Sequence, residues 1–463
     1  MTQEQPTILF LSFAMRIFWD LYPDLEHRIL AQRDQVIGSL RQEATVLAPP
    51  LVGDEEDART RIPWIRQQRF DLVVVWECGY VASGIPFSIL QTLTEAPILM
   101  LVTQRDARVP PDMDYVRYME STAPTSAAEL GGVLVRFGLS FDSLVGMADD
   151  PVLYGRVLER AKAARIRNRL HGLLVGQVGS SYPGMLDISV DEATVRRLGP
   201  RIHPIPLSDI ASRLAALEPV RVDRILADWR GVFRTERVRP DDLRRIACAY
   251  AVLEDLALEY RLEAICVHDY ECLSPVTGTV SDVALSMLEN RLGISTGVEG
   301  DLMNCLGAYI ARGFSGQSPM FVDWTMMDEE RNTLFFQHNG KADPDRVTDP
   351  ALAPCAEPFG GVIGEGAAVE ASLKPGPVTW VGLAYTARGW TLFAMEGTAV
   401  EEPVRPCRLN QATVRPEAPV GRILERACTL GAGHHGNIAP GHFAGGLSHL
   451  STYLGIPFIR LDA

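Results

Sequence analysis

The 463-residue chain has no cysteine pair at metal-binding or redox spacing and no long hydrophobic run. None of its eight cysteines form a C-x-x-C motif, so neither a zinc ribbon nor a dithiol redox site is indicated. No stretch approaches the roughly eighteen apolar residues that a membrane-spanning helix needs. No basic segment precedes the first apolar run, so we expect no signal peptide and a cytoplasmic protein with reduced thiols.

Positive charge is also in short supply. Lysine and arginine total 44 against 58 aspartates and glutamates, which gives a net charge of −14. Nucleic acid and anionic membrane surfaces are therefore unfavourable partners. A small neutral ligand is compatible with this charge, whereas an anionic substrate would need a local basic pocket.

Buried strands that alternate with helices dominate the first two thirds of the sequence. Continuous apolar runs such as 7–13 and 262–269 are typical of strands buried on both faces. The alternation predicts an α/β protein with two doubly wound parallel-sheet domains, at residues 1–165 and 166–345. No G-x-G-x-x-G follows the first strand, so dinucleotide binding is not indicated.

The residue pattern of the sequence changes after about residue 345. Glycine-punctuated runs rich in threonine and valine appear at 360–373, 378–386 and 389–397. Such runs are typical of a small antiparallel sheet or barrel. We therefore expect a β-rich, barrel-like C-terminal domain at residues 346–463.

Carboxylates and imidazoles recur in short glycine-containing motifs of the last third of the chain. The motifs are V-E-G-D-L, F-V-D-W, F-F-Q-H-N-G and G-A-G-H-H-G-N, and their candidate site residues are Glu299, Asp301, Asp323, His338, His434 and His435. Oxygen and nitrogen ligands without thiolate suit a divalent cation of the Mn, Mg or Fe type that keeps positions open for a substrate. The pattern favours an active-site metal centre.

Each of these residues also has an ordinary structural explanation. An aspartate after a strand often caps a helix or completes a turn. A single histidine at a strand end often does no more than accept or donate a hydrogen bond, and the adjacent His434 and His435 can be solvated in a loop. Composition alone leaves both interpretations open.

Together, V-E-G-D-L, F-V-D-W, Q-H-N-G and G-H-H-G-N resemble motifs of the L-fucose isomerase and L-arabinose isomerase superfamily. The segment V-G-x-x-x-P-G-M-L-D-x-x-x-D-E at 178–192 is similar to the ligand loop of the second domain in those enzymes. The resemblance extends over about residues 170–440. It implies two α/β domains and one β-rich domain, assembly into hexamers, and a Mn²⁺ ion that binds the open-chain sugar, with Mg²⁺ or Co²⁺ as alternatives.

The resemblance also implies roles for the motif residues. Glu299 and Asp323 match the two acidic metal ligands and the catalytic base and acid, and Asp301 resembles a residue that supports the substrate or a proton relay. His338 and His435 match histidine ligands, although His338 is like the arabinose isomerase branch and the acid pair like the fucose isomerase branch.

Four further side chains are implied as substrate contacts: His434, Phe321, Arg16 and Trp19. His434 and Phe321 belong to the motifs that carry the resemblance. Arg16 and Trp19 lie in A-M-R-I-F-W-D at 14–20, which lacks a recognisable sugar-contact motif but corresponds to a region that can reach a neighbouring subunit's site in hexameric relatives. For Arg16 the alternative is a surface salt bridge.

These features predict a metal-dependent intramolecular oxidoreductase, an isomerase of an unphosphorylated aldose or ketose such as an L-fucose- or L-arabinose-like sugar. Isomerisation moves a proton between C1 and C2 through an enediolate, whose charge a hard cation stabilises while carboxylates act as base and acid. Two alternatives stay open. One is other enediolate or aldol-type chemistry on the same scaffold, and the other is a sugar-binding or sensory protein without catalysis.

Overall fold

Apolar runs near the start of the chain form a parallel sheet. The computed structural model describes residues 5–93, 95–355 and 366–463. In the compact unit Thr2–Asn168, the strands are β1 Thr7–Phe13, β2 Thr45–Leu47, β3 Leu72–Glu77, β4 Ile98–Gln104 and β5 Asp142–Met147. They pair in the order β2-β1-β3-β4-β5, all parallel. The interior position of β3 explains why it is buried at every residue.

Helices separate these strands along the chain. They are α1 Ile17–Leu21, α2 Pro23–Leu40, α3 Glu55–Ile65, α4 Gly84–Leu90, α5 Tyr115–Glu120, α6 Ala123–Arg136 and α7 Pro151–Gly172. Ile65, Ile89 and Leu130 place α3, α4 and α6 in one core cluster with Leu9 and Val75 of the sheet. Burial of this apolar surface stabilises the unit.

The second compact unit, Arg169–Ala463, begins with another parallel sheet. Its strands are β6 Leu174–Val178, β7 Arg201–Ile205, β8 Ala264–Val267 and β9 Ser295–Gly297, in the order β7-β6-β8-β9. Its helices are α8 Glu192–Leu198, α9 Leu207–Ala215, α10 Pro219–Asp228, α11 Pro240–Glu259, α12 Ser274–Thr277, α13 Asp282–Leu292 and α14 Leu302–Ser315. The carboxyl ends of these strands form the edge at which open α/β sheets bind ligands.

An antiparallel barrel follows in the same unit. Its strands are β10 Met320–Asp328, β11 Thr333–His338, β14 Gly376–Thr386, β15 Gly389–Ala399, β16 Asn410–Pro416 and β17 His435–Pro440. The order β16-β11-β10-β17-β14-β15 closes through a β15–β16 pairing, so the six strands form a ring. Closure removes the exposed edges that an open sheet would have.

Further strands and helices extend the barrel. They are β12 Val347–Pro354, β13 Ala367–Leu373, β18 Phe458–Arg460, α15 Val420–Leu430 and α16 Ala444–Leu454. The predicted fold class, two parallel-sheet α/β parts followed by a β-rich barrel, is confirmed. The division into three domains at residues 165 and 345 stays a prediction. None of the described helices combines the length and the apolar character needed to cross a bilayer.

Pro219 and Pro240 each start a new helix, so α9, α10 and α11 are separate. Two local predictions differ from the structure. Asp323 was expected at a strand end, yet β10 continues to Asp328 after a bulge. His435 was expected in a loop, but it begins β17. The first part of the run 360–373, up to residue 365, lies outside the described residues.

Glu77, the last residue of β3, provides a test of how burial in the first unit affects a carboxyl group. Burial raises the pKa of Glu77 from 4.5 to about 8. Between pH 4.5 and about pH 8 the folded state therefore holds a proton on Glu77 that the unfolded state has lost. The stability contributed by protonated Glu77 is full below pH 4.5 and is lost as the pH rises through about 8. At roughly 1.4 kcal/mol per pKa unit, we expect Glu77→Gln to raise the free energy of unfolding at pH 9, relative to wild type, by a few kcal/mol.

Urea denaturation at pH 5 and pH 9 measures this effect. The exposed Glu26→Gln is the matched control, and it should leave the pH dependence of wild type unchanged. An equal pH dependence in Glu77→Gln and wild type would rule out a proton bound at Glu77.

Candidate active site

A strained turn at the carboxyl end of β9 positions Glu299. This residue is 4% exposed and has a φ of 56°, a left-handed conformation that is uncommon for residues other than glycine. Gly300 follows with a φ of 68°, and a Cβ atom there would lie 2.1 Å from the carbonyl oxygen of Ser180. The backbone N–H of Tyr182 donates to the Glu299 carbonyl oxygen at 2.9 Å. The V-E-G-D turn is therefore held against the loop that follows β6.

Asp301 links this turn to the barrel. It caps α14 by accepting a hydrogen bond from the Asn304 backbone N–H at 3.0 Å. Its second oxygen, Oδ2, lies 2.9 Å from Nδ1 of His435. Because a carboxylate only accepts, Nδ1 of His435 carries the proton and Nε2 is directed to the other side.

The barrel strands bring the remaining candidates together. Asp323 on β10 is the cross-strand partner of both His435 on β17 and Gln337 on β11. His338 ends β11, and its backbone N–H donates to Oδ1 of Asn410 at 2.7 Å. Antiparallel pairing therefore assembles residues that lie about a hundred positions apart in the sequence.

Three side chains converge on Nε2 of His435. This atom lies 3.2 Å from Nε2 of His338, 3.3 Å from Oε2 of Glu299 and 3.6 Å from Oδ1 of Asp323. Nε2 of His338 is also 3.8 Å from Oε1 of Glu299. The predicted metal ligands Glu299, Asp323, His338 and His435 thus lie together, although their roles as ligands stay a prediction.

The electrostatics of the site are those of ionised carboxylates around imidazoles. Burial by itself raises the pKa of Glu299, but the contacts with His435 and His338 outweigh it and lower the pKa to about 2. Burial by itself lowers the pKa of His435, yet the adjacent carboxylates of Asp301 and Glu299 raise it to about 10. Burial lowers the pKa of His338. The site therefore concentrates negative charge and favours a positive charge on or near His435.

Two further buried acids, Asp269 and Asp282, lie behind Glu299. Asp269 is fully buried, and its Oδ1 accepts from the Glu299 backbone N–H at 3.4 Å. Burial, and secondly the charge of Glu299, raise the pKa of Asp269 to about 7. Asp282 is buried nearby, and burial raises its pKa well above the usual value. Adding a cation close to these acids would relieve their mutual repulsion.

The residues present fit a divalent metal ion. Glu299, His338 and His435 offer ligand atoms that all lie within 4.8 Å of one another, and Asp323, His434 and His435 form a second such group. Oε2 of Glu299 and Oδ1 of Asp323 are buried without a hydrogen-bond partner among the described residues. With a proton between them, one of the two facing imidazole nitrogens donates and the other accepts, whereas a cation can accept a lone pair from each. A buried Glu/His/His triad can therefore hold a metal ion, whose identity these atoms leave open.

A cavity of about 210 Å³ adjoins this cluster. Its lining residues are predominantly polar: Met185, Glu299, Asp323, Gln337, His338, Asn339, Leu409, His434 and His435. The volume is below the roughly 300–1,000 Å³ of sites for drug-sized ligands. A small polar molecule is the ligand that this cavity fits.

The predicted substrate contacts have different surroundings. His434 lines the cavity and is held by Asp187, whose Oδ2 lies 2.6 Å from Nδ1 of His434. Phe321 is fully buried, and its ring packs against the imidazoles of His338 and His435 with centroids 4.8 and 4.7 Å apart. Phe321 therefore packs directly against the two imidazoles of the cluster.

Arg16 and Trp19 lie in the first unit, where Arg16 forms surface ion pairs with Asp54 and Asp57. The guanidinium also lies 5.8 Å from the ring of Trp19. The surface salt bridge considered for Arg16 is thus present. Contact of Arg16 or Trp19 with a substrate stays a prediction.

Several residues of the site were missed from the sequence. Asn339 donates from Nδ2 to Oε1 of Glu299 at 3.4 Å, and its position directly after His338 in Q-H-N-G was an available signal. Asn410 donates to the carbonyl oxygens of Phe321 and Lys341, both at 2.9 Å, and so braces β10 and β11. No local pattern around Asn410 indicates this role. Asp187 lies within the recognised segment 178–192 but was not singled out.

The chain is distantly similar to curated sugar isomerases. The sulfoquinovose isomerase of Priestia aryabhattai is 23% identical over 371 residues, which cover 78% of this chain and 79% of that protein. The sulfoquinovose isomerase of Alkalicoccus urumqiensis is 21% identical over 331 residues, which cover 70% and 72%. No protein-family model matches the chain. The similarity is therefore to sugar isomerases, at a distant level.

The expected membership of the L-fucose and L-arabinose isomerase superfamily is wrong, because the curated relatives found are sulfoquinovose isomerases. The motifs that suggested that family are short, and the residues that distinguish them are glycines, carboxylates and imidazoles. Any metal centre of this chemistry draws on the same residue types. The expected hexamer rested on that resemblance, and the oligomeric state stays a prediction.

Asp301 provides a test of the metal centre. Asp301→Asn keeps a good helix cap but removes the charge that orients His435. We expect the affinity for Mn²⁺ to fall about 10- to 100-fold, as for other outer-shell partners of metal-bound histidine. Calorimetric titration of the metal-free protein with Mn²⁺ measures the change.

The matched control is Asp191→Asn at the cap of α8, where the carboxylate accepts from the Thr194 backbone N–H at 2.9 Å. This variant has the same chemical change and no histidine partner at that carboxylate. If both variants bind Mn²⁺ as tightly as wild type, Asp301 does not support a metal ligand.

Proposed function

We propose that this protein is a metal-dependent aldose–ketose isomerase that acts on an unphosphorylated sugar through an enediolate. The observation that carries the proposal is the convergence of Glu299, Asp323, His338 and His435 beside a small polar cavity. The distant similarity to sulfoquinovose isomerases supports the same reaction type.

The ligand set that we propose is Glu299, Asp323, His338 and His435, with Mn²⁺ as the ion and Mg²⁺ or Co²⁺ as alternatives. When bound, the cation would supply positive charge that stabilises the negative charge developing on adjacent sugar oxygens. Asp301 orients His435, and Asn410 holds the backbone of His338. These contacts keep the imidazoles in place without rearrangement during the reaction.

Two carboxylates carry the proton transfer in this proposal. Glu299 lies in a strained, buried turn, so its carboxylate is held in one place, and Asn339 fixes one of its oxygens. Its other oxygen, Oε2, has no hydrogen-bond partner among the described residues and would remove the proton from the carbon next to the carbonyl. The side chain of Asp323 is 37% exposed, and it would exchange a proton with the substrate oxygens. Returning the proton to the neighbouring carbon completes the isomerisation.

The charge of the substrate is a separate question. Sulfoquinovose is glucose with a sulfonate in place of the C6 hydroxyl group. The cavity-lining residues include no lysine or arginine, so within the described site the groups able to carry positive charge are the histidines. A neutral sugar fits this lining directly, and a sulfonated sugar would require a cation from beyond it.

Glu299→Gln tests the proposed reaction. The wild-type protein loaded with Mn²⁺ is incubated with sulfoquinovose, D-glucose, L-fucose and L-arabinose in deuterated water, and products are identified by NMR. We expect a ketose with deuterium at C1 or C2 and an intact carbon chain. Glu299→Gln should lower kcat by about 10²- to 10⁴-fold, because the base is lost.

Glu330→Gln, an exposed residue in the turn after β10, is the matched control and should keep wild-type activity. Cleavage of a carbon–carbon bond would support aldol-type chemistry instead. Sugar binding without turnover on the whole panel would support a sensory protein, and equal activity in Glu299→Gln and wild type would remove Glu299 from the reaction.

A further inference from the structure

We propose that His434 and Asp187 form a hydrogen-bonded pair that opens the cyclic sugar before isomerisation. His434 would be the catalytic residue, and Asp187 the residue that positions it. The inference rests on the proposed isomerase function, because only a sugar that must become an open-chain aldehyde needs this step.

Asp187 holds His434 at two points. Its Oδ2 lies 2.6 Å from Nδ1 of the imidazole and accepts from the His434 backbone N–H at 3.2 Å. Asp187 sits in the short 3₁₀ helix Leu186–Ile188, which follows the glycine-containing loop after β6. His434, which directly precedes β17 of the barrel, is therefore fixed by a residue of the parallel-sheet part of the same unit.

This hydrogen bond decides which nitrogen faces the substrate. A carboxylate can only accept, so Nδ1 of His434 is the protonated nitrogen, and the lone pair on Nε2 remains available. The imidazole also packs against His435, with ring centroids 3.9 Å apart. Two contacts thus restrict the ring, and a restricted imidazole with one free nitrogen is suited to proton transfer at a defined atom.

His434 also differs from the buried cluster in its exposure. Its side chain is 39% exposed and that of Asp187 is 46% exposed, whereas the side chains of His338 and His435 are 1% exposed. His434 therefore belongs to the rim of the cavity, which it lines together with Met185 and Leu409. A sugar entering the cavity would meet this imidazole before the buried carboxylate of Glu299.

Ring opening requires a base and an acid at neighbouring oxygens. The O1–H bond of the hemiacetal breaks as the C1=O double bond forms, the bond from C1 to the ring oxygen breaks, and the ring oxygen gains a proton. Electrons and atoms balance without an oxidant or a further reactant. Nε2 of His434 can take the proton from O1 and, as imidazolium paired with Asp187, return it to the ring oxygen. Glu299 and Asp323 stay committed to the later transfer between carbons.

The test separates ring opening from isomerisation. In the Glu299→Gln background the carbon proton transfer is blocked, while ring opening still converts one anomer to the other. The probe is whichever of sulfoquinovose, D-glucose, L-fucose and L-arabinose the wild type isomerises, and NMR exchange spectroscopy measures its mutarotation rate. We expect the Glu299→Gln protein to accelerate mutarotation relative to the sugar without protein. Adding Asp187→Asn or His434→Gln to this variant should reduce the acceleration about 10- to 100-fold.

Asp191→Asn in the same background is the matched control, because Asp191 caps α8 four residues further along the chain. It should leave mutarotation unchanged. Manganese content, measured by mass spectrometry on the single variants Asp187→Asn and His434→Gln with Glu299 intact, should remain at the wild-type level, which shows that the buried centre is intact.

Three results would overturn the inference. Mutarotation that the Glu299→Gln protein does not accelerate would show that the sugar opens without the protein. Full acceleration in both added variants would exclude the pair, and loss of manganese from either variant would assign His434 to the metal centre instead. Failure of the isomerase proposal is distinguishable, because the wild type would then isomerise none of the four sugars.

Discussion

The site depends on one imidazole, that of His435, which is bound on both sides. Asp301 holds Nδ1, and this leaves Nε2 directed towards His338, Glu299 and Asp323. A buried imidazole with carboxylates on two sides is expensive to desolvate unless each polar atom has a partner. Asp301 belongs to the parallel-sheet part of the second unit and His435 to the barrel. Because the imidazole needs this carboxylate as a partner, the two parts meet at His435.

Two glycines make this meeting possible. Gly300 lets the turn after β9 pass within van der Waals distance of the loop after β6, where a Cβ atom would overlap the Ser180 carbonyl oxygen. Gly436 lets β17 pass beneath Trp380, whose ring would lie 2.2 Å from an added Cβ. Each glycine stands directly after a candidate site residue, Glu299 or His435. Backbone proximity, rather than side-chain chemistry, requires glycine at these positions.

Much of the architecture followed from local pattern, and some of the site did not. Runs such as β1 and β3 are apolar at every position because their sheet is covered on both sides, so periodicity alone identifies them. Asp323 was expected at a strand end, but it lies within a long strand whose register pairs it with His435. That register depends on residues a hundred positions apart. The family assignment failed because motifs of four or five residues report a type of metal chemistry and not an ancestry.

The sequence by itself determined the class of fold, the acidic composition, and the set of carboxylates and imidazoles from which a site could be built. These properties follow from hydrophobic periodicity, composition and residue type, all of which can be read from neighbouring residues along the chain. Only the tertiary structure decided that His435 binds Asp301, that Asn410 braces His338, and that Asp187 holds His434. Those contacts join segments far apart in the chain, and their distances follow from strand register and from the packing of the barrel against the sheet, which no local pattern encodes.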